Sequence, residues 1–89
     1  KMIKNCIIDC YSLEEDFCFV GDVYYNDEYE TIETSNGVVE YEMKIVTTYD
    51  WDYIPGSIVE IETFDGEQLG RKKIIAMDWV EDEAIIYLK

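Results

Sequence analysis

The chain has 89 residues, of which 48% are hydrophobic and 15% aromatic, so it has room for one domain with one core and is not expected to be disordered. It contains 21 Asp and Glu against 7 Lys and Arg, with no His, which gives a formal charge of −14. Because binding to phosphates requires clustered Lys and Arg, this balance argues against direct binding of nucleic acid or of an anionic membrane surface. We therefore expect a single acidic domain over residues 1–89.

Two strands are predicted near the start of the chain, at residues 2–10 and 17–25. The link between them, residues 11–16, is too short for more than one helical turn. Ser12 and Glu15 in this link have the spacing of a helix capping box.

The strongest local pattern is a hairpin around Asn36 and Gly37. Residues 38–49 alternate between apolar and polar side chains with a period of two, which is typical of a strand with one buried face. Residues 29–34 precede the turn and form the predicted partner strand. An Asn-Gly pair supplies the two positive φ angles of a type I′ turn, so we expect that turn here.

Two more hairpins are predicted in the second half of the chain, after a turn at Pro55. Residues 57–64 pair with 71–80, and residues 72–80 pair with 84–88 across a reversal at 81–83. Six or seven short strands indicate an all-β fold, a small antiparallel barrel or sandwich in the style of an SH3-like or OB-like domain. A closed barrel would also remove exposed strand edges.

The three cysteines, Cys6, Cys10 and Cys18, form an odd set. Disulfide frameworks use even sets, and a tetrahedral zinc site needs four ligands that a chain without His cannot easily supply. We expect buried free thiols in a reducing cytoplasm. No apolar run approaches the ~20 residues of a membrane helix, which also favours a cytoplasmic protein.

The residue types argue against an enzyme. Without His, the commonest general acid/base and the Ser/His and Cys/His nucleophile systems are missing, and the five glycines form no phosphate-binding loop. Acid clusters at 50–52 and 78–83 have oxygen ligands that suit Ca²⁺ or Mg²⁺, but neither has EF-hand spacing. We predict no catalytic residue, no metal site and no cofactor.

The acids are unevenly distributed. Residues 5–43 contain eleven acids and no base, and residues 45–70 contain six more acids and no base, while Arg71, Lys72 and Lys73 stand together. Strand residues two apart project to the same face about 6.8 Å apart, so repeated carboxylates would form a flat negative lattice with separations like those of phosphates. We predict that this lattice binds a basic partner protein. Its acids are Glu28, Glu30, Glu40, Glu42, Glu60 and Glu62.

Aromatic residues interleave with acids in two turn-like segments. Tyr25 and Tyr29 lie in the first, and Trp51 lies between Asp50 and Asp52 in the second. Exposed Tyr and Trp are favoured interface anchors, so we add these five residues to the predicted partner-binding surface. The aromatic residues predicted to lie in the core are Phe17, Phe19, Tyr41 and Trp79.

Size, acidity and the lack of catalytic residues resemble the small inhibitors encoded by phages and mobile elements, including anti-CRISPR proteins and other DNA mimics. The resemblance rests on the runs at 14–16 and 81–83 and on the strand carboxylates, with no sequence motif. It implies steric and electrostatic occlusion of a nucleic-acid-binding cleft in a host protein, with salt-sensitive association. Two alternatives stay open: a structural or assembly β-barrel module, and a barrel that binds a small ligand in an apolar pocket.

Overall fold

A computed structural model describes residues 1–12, 15–48 and 54–89 of the chain. These residues form six antiparallel strands and no helix, so none of their elements is a helix able to cross a membrane. The strands close into a barrel in the order β1-β2-β3-β6-β5-β4, which confirms the predicted all-β antiparallel fold. The strands are β1 (Met2–Tyr11), β2 (Asp16–Thr34), β3 (Gly37–Thr47), β4 (Ile58–Glu62), β5 (Gln68–Val80) and β6 (Glu83–Leu88).

The core follows the period of two that the sequence shows. In β3, Tyr41, Met43 and Ile45 point inward and are buried, while the residues between them remain partly exposed. Burying one such large apolar side chain contributes about 1.5–3 kcal/mol, so this alternation fixes which face of each strand lines the core. The largest fully buried side chains are Ile8, Met43, Ile45, Ile61, Ile74, Ile86 and Leu88.

The cysteines are free, and two of the three are buried as predicted. Cys6 and Cys10 lie in the core, where burial raises the pKa of each thiol, that of Cys10 to about 11. Burial of Cys18 was predicted wrongly, because it is exposed. Phe19, its neighbour in β2, points into the core, so strand alternation turns Cys18 outward.

The aromatic core was predicted correctly for Phe19 and Tyr41, which are buried, and in part for Phe17, which packs against the core. It was wrong for Trp79, which is 44% exposed. Trp79 pairs with Ala84 near the β5–β6 turn, so it lies at one end of the barrel.

The hairpin at Asn36 is present, but its turn is not type I′. Thr34 pairs with Gly37, so Ser35 and Asn36 form the two-residue loop, and of these four only Gly37 has a positive φ, at 111°. The Thr34 hydroxyl accepts a hydrogen bond from the Asn36 N–H at 3.2 Å and donates one to the Gly37 carbonyl at 2.8 Å. This side-chain bonding and a left-handed glycine after the loop replace the two positive φ angles expected from Asn-Gly.

The strands predicted at 17–25 and 29–34 are one strand, β2, of 19 residues. Its pairing with β3 shifts register between Tyr25 and Glu30, so a bulge absorbs the residues expected to form a break. β1 pairs with β2 only as far as Tyr24, and β6 pairs with β3 only from Met43. The hairpin therefore continues past the barrel wall as a two-stranded extension, residues 26–42, which we call the acidic ribbon.

Candidate functional site

The six carboxylates predicted to form one lattice lie in two separate places. Glu28, Glu30, Glu40 and Glu42 lie on the acidic ribbon, and the other two lie on β4. In the closed six-stranded order, β3 and β4 are three positions apart in either direction, so they lie on opposite sides of the barrel. The structure therefore does not bring the six acids onto one flat face.

The β4 acids have partners on the outward face that β4 shares with β1 and β5, which we call the paired wall. The Arg71 Nε lies 2.5 Å from Glu60 Oε1, and its guanidinium lies 5.6 Å from the centre of the Tyr11 ring. The Tyr11 hydroxyl donates to Glu60 Oε2 at 3.3 Å, and the Glu60 charge raises the Tyr11 pKa. Glu62 accepts a hydrogen bond from Gln68 at 2.7 Å.

The paired wall is thus a local network. Arg71 and Glu60 are register partners on neighbouring strands, as are Glu62 and Gln68, which explains why these pairs meet. A basic partner would have to compete with Arg71 for Glu60. This face is therefore a poor candidate for recognition by charge.

The acidic ribbon differs because most of its carboxylates are exposed and form no ion pair within the described ranges. Tyr29 is 57% exposed between two acids. Beyond the bulge, the Lys89 Nζ lies 3.7 Å from Glu40 Oε2 and 5.1 Å from the centre of the Tyr29 ring. The ribbon acids that form no ion pair with any residue of the described ranges are Asp27, Glu28, Glu30 and Glu33.

The base of the ribbon is compensated and partly buried. Glu42 Oε1 lies 2.8 Å from the Lys72 Nζ, so this acid is paired. Tyr25 packs against the core and is half-buried, and burial is the largest cause of its raised pKa. Glu42 and Tyr25 are therefore supports of the ribbon rather than its most accessible groups.

Tyr41 holds the ribbon against the barrel, a role that the sequence did not reveal. Its ring packs against the Tyr87 ring of β6 in an edge-to-face contact with centres 4.9 Å apart. Its hydroxyl donates to Glu30 Oε2 at 2.8 Å, and burial together with this bond raises the Tyr41 pKa to about 12. The bulge in β2 places Glu30 opposite Tyr41, and bulges leave no clear signal in a single sequence.

Asp50, Trp51 and Asp52, the second predicted segment of the partner surface, lie outside the described residues. Within the described ranges, no three His, Cys, Asp or Glu side chains come together in a group that could hold a metal ion, and this includes the acids at 78–83. Comparisons of the chain with protein-family models, with curated proteins and with solved structures found no match. The site is therefore interpreted from its own chemistry.

Proposed function

We propose that this protein is a non-enzymatic binding protein that presents the acidic ribbon to a basic, nucleic-acid-binding partner and inhibits it by occupying its phosphate-binding cleft. The observation that carries the proposal is the contrast in charge pairing. The ribbon has four exposed or accessible acids without an ion pair to a described residue, while Glu60 on the opposite side has Arg71.

Shape supports the same function. In the ribbon, residues 30–34 pair with residues 37–41, and neither segment pairs with any other strand of the described ranges. Adjacent strands lie about 4.8 Å apart, so a two-stranded ribbon is narrow enough to enter a groove that accommodates a nucleic-acid strand. The ribbon thus presents negative charge on a thin, hydrogen-bonded support.

Electrostatics gives a reason for binding. With a net charge of −14 and few local cations, the ribbon acids repel one another in the free protein. A basic cleft would relieve this repulsion and would speed the encounter through long-range attraction. The mimicry would depend on shape and charge density, because the register of β2 shifts between Tyr25 and Glu30, a stretch that includes Glu28, and because Glu42 is paired with Lys72.

The proposal is tested by capture from a bacterial lysate on the immobilised protein, with identification of bound proteins by mass spectrometry. We expect basic, nucleic-acid-binding proteins that are released when NaCl is raised from about 0.05 to about 0.5 M, and that are displaced by added DNA. Partners that stay bound over this range of salt, or that bind the protein and DNA simultaneously, would contradict an electrostatic decoy.

A second candidate function, an assembly module, is favoured by exposed apolar side chains at one end of the barrel. Trp79 is 44% exposed and Val80 is 51% exposed, side by side at the end of β5. Assembly through such residues would give self-association that persists at high salt. Sedimentation velocity at low and high NaCl separates the two functions, since a monomer at all salt concentrations argues against assembly of the chain with itself.

A further inference from the structure

A cleft of about 550 Å³ lies between the tip of the acidic ribbon and the outer face of the barrel. Ribbon residues 32–36 line one side, and residues 75–78 of β5 line the other, with Tyr87 of β6 between them. Ile32 and Met77 give the cleft an apolar surface. The volume lies within the ~300–1,000 Å³ typical of ligand sites.

One acid, Asp78 of β5, stands at this cleft, and it forms no ion pair with a described residue. On the ribbon side, Ile32 and Thr34 share the face of Tyr41, which packs on Tyr87, while Glu33 is on the other face of the ribbon. Asp78 Oδ1 accepts a hydrogen bond from the Trp79 N–H at 2.8 Å, which restrains the carboxylate. A negative group beside apolar side chains favours a ligand that is apolar along its length and cationic at its end.

Tyr87 adds an aromatic ring to the same cleft. The ring is half-buried and is held in place by its edge-to-face contact with Tyr41. Asp78 and Tyr87 are on the same face of β5 and β6, because Asp78 pairs with Ile85, two residues before Tyr87. Burial and the charge of Asp78 raise the pKa of Tyr87. Tyr87 and Asp78 therefore combine an aromatic face with a negative charge, the two features that attract a cation.

The same combination of a tyrosine ring and a carboxylate occurs twice elsewhere in the molecule, each time around one of the protein's own cations. In each case a basic side chain lies over a tyrosine ring and forms an ion pair with a glutamate. The two groups are Arg71 with Tyr11 and Glu60, and Lys89 with Tyr29 and Glu40.

The cleft has the tyrosine and a carboxylate of these groups without a cation from the described ranges. Lys44 is the register partner of Tyr87 on the neighbouring strand, but its ammonium lies over the Tyr24 ring, at 5.4 Å. A cation from another molecule would supply the third component of the arrangement.

We propose that the cleft binds an arginine side chain of the basic partner protein. The aliphatic part of the arginine would pack on Ile32 and Ile75, and its guanidinium would contact the Tyr87 ring and bond to Asp78. Arginine suits the site because its planar group stacks on aromatic rings and bonds a carboxylate through two donors. This inference rests on the proposed function, and it adds the residue by which the partner is recognised.

The ligand class follows from what the cleft disfavours. Asp78 repels an anion such as a nucleotide. A neutral apolar group would cover this carboxylate without replacing its hydrogen bonds to water, which is costly. Charge complementarity with a cationic side chain avoids both penalties.

The test is a titration of the isotope-labelled protein, followed by amide NMR, with a short glycine–serine peptide that carries one central arginine. The matched probe is the same peptide with citrulline, which keeps the shape and removes the charge. We expect the arginine peptide to shift the signals of residues 32–36, 75–78 and Tyr87, and the citrulline peptide to leave them unchanged. Equal shifts with both peptides would overturn the proposal.

Two protein variants test whether binding of the arginine peptide is specific to the cleft. Asp78→Asn should weaken binding of the arginine peptide by about fivefold, while Asp65→Asn, the same change of charge on the exposed β4–β5 turn outside the cleft, should change it by less than about twofold. Binding that stays unaltered in Asp78→Asn, with shifts spread over other acidic surfaces, would overturn the cleft and leave the basic-partner function standing. Loss of all salt-sensitive binding to the arginine peptide in the unmodified protein would count against both. Tighter binding of free acetyl-arginine amide than of the peptide would overturn a protein-borne ligand.

Discussion

The acidic ribbon and the paired wall contain the same kinds of residue on the same kind of structure, yet they differ in what surrounds each carboxylate. On the wall, Glu60 meets Arg71 on the next strand of the closed barrel. On the ribbon, the outer edges have no strand beside them in the described ranges, so acids such as Glu28 have no neighbouring strand to supply a cation. The comparison shows that an acid's availability depends on its neighbouring strands more than on its spacing along the chain.

The same comparison explains why tyrosines behave differently in the two regions. Tyr11 on the wall is 37% exposed and bonds to an acid that Arg71 already neutralises. Tyr41 on the ribbon is 5% exposed and bonds to Glu30, which has no cationic partner among the described residues. A partly buried hydrogen bond to a carboxylate without a cationic partner is a stronger restraint than an exposed one, so Tyr41 fixes its region more firmly than Tyr11 does.

The largest expected effect is on partner binding. Glu28→Lys should lower the affinity for a captured basic partner by about tenfold or more, because it places a cation on the surface that faces the partner. Glu62→Lys makes the same change of charge on the paired wall and should lower affinity by about threefold or less, since at physiological salt charges act over about 8 Å. Biolayer interferometry with the captured partner measures both. Equal losses would mean that net charge alone drives binding.

The next effect is on stability. Tyr41→Phe should lower the free energy of unfolding by about 1–2 kcal/mol, because it removes a partly buried hydrogen bond to Glu30 and leaves the ring contact in place. Tyr11→Phe removes an exposed bond to Glu60 and should produce no measurable change. Urea unfolding at neutral pH compares them, and a Tyr11 variant as unstable as the Tyr41 variant would contradict the difference between the regions.

The Tyr41 bond also has a pH signature. Because its folded-state pKa is raised from 10.0 to about 12, its contribution to stability is complete below pH 10 and is lost as the pH rises through about 12. Tyr41→Phe should therefore lose less stability than the unmodified protein between these pH values. Parallel loss in the two proteins would show that Tyr41 does not titrate in this way.

The smallest expected effect is a pair of stability changes that have opposite signs in the two regions. Glu28→Gln removes an uncompensated charge and should stabilise the protein by about 0.3 kcal/mol at low salt, while Glu60→Gln leaves Arg71 without its partner and should destabilise it by about 0.5 kcal/mol. Both changes should fade as NaCl approaches about 1 M, where the screening length is near 3 Å. Melting curves over a salt series measure them, and changes of the same sign would remove the distinction between ribbon and wall.

Much of the fold could be predicted from the sequence, and the candidate site only in part. Alternation in β3 and the turn signals near Asn36 and Gly66 indicated the right hairpins, because these patterns arise from neighbours in the chain. The predicted partner surface included four acids of the ribbon and omitted Asp27 and Glu33, and the binding of a partner there stays a prediction. The predicted flat lattice of carboxylates is not present, because closure of the barrel sets the positions of the strands that carry Glu40 and Glu60. Trp79 was wrongly predicted to be buried, because it lies at one end of the barrel. Cys18 was wrongly predicted to be buried, because its side chain is on the outward face of its strand.

The sequence by itself determined the strand class, the inward face of β3 and the negative charge of the chain, because side-chain period and composition are local properties. Tertiary structure alone decided which carboxylates meet a cation. Barrel closure places Arg71 beside Glu60, and the end of β6 places Lys89 near Glu40. It also places Tyr87 and Asp78 across a cleft from the ribbon tip. These residues are far from the ribbon in the chain, so their spacing in the sequence could not predict this arrangement.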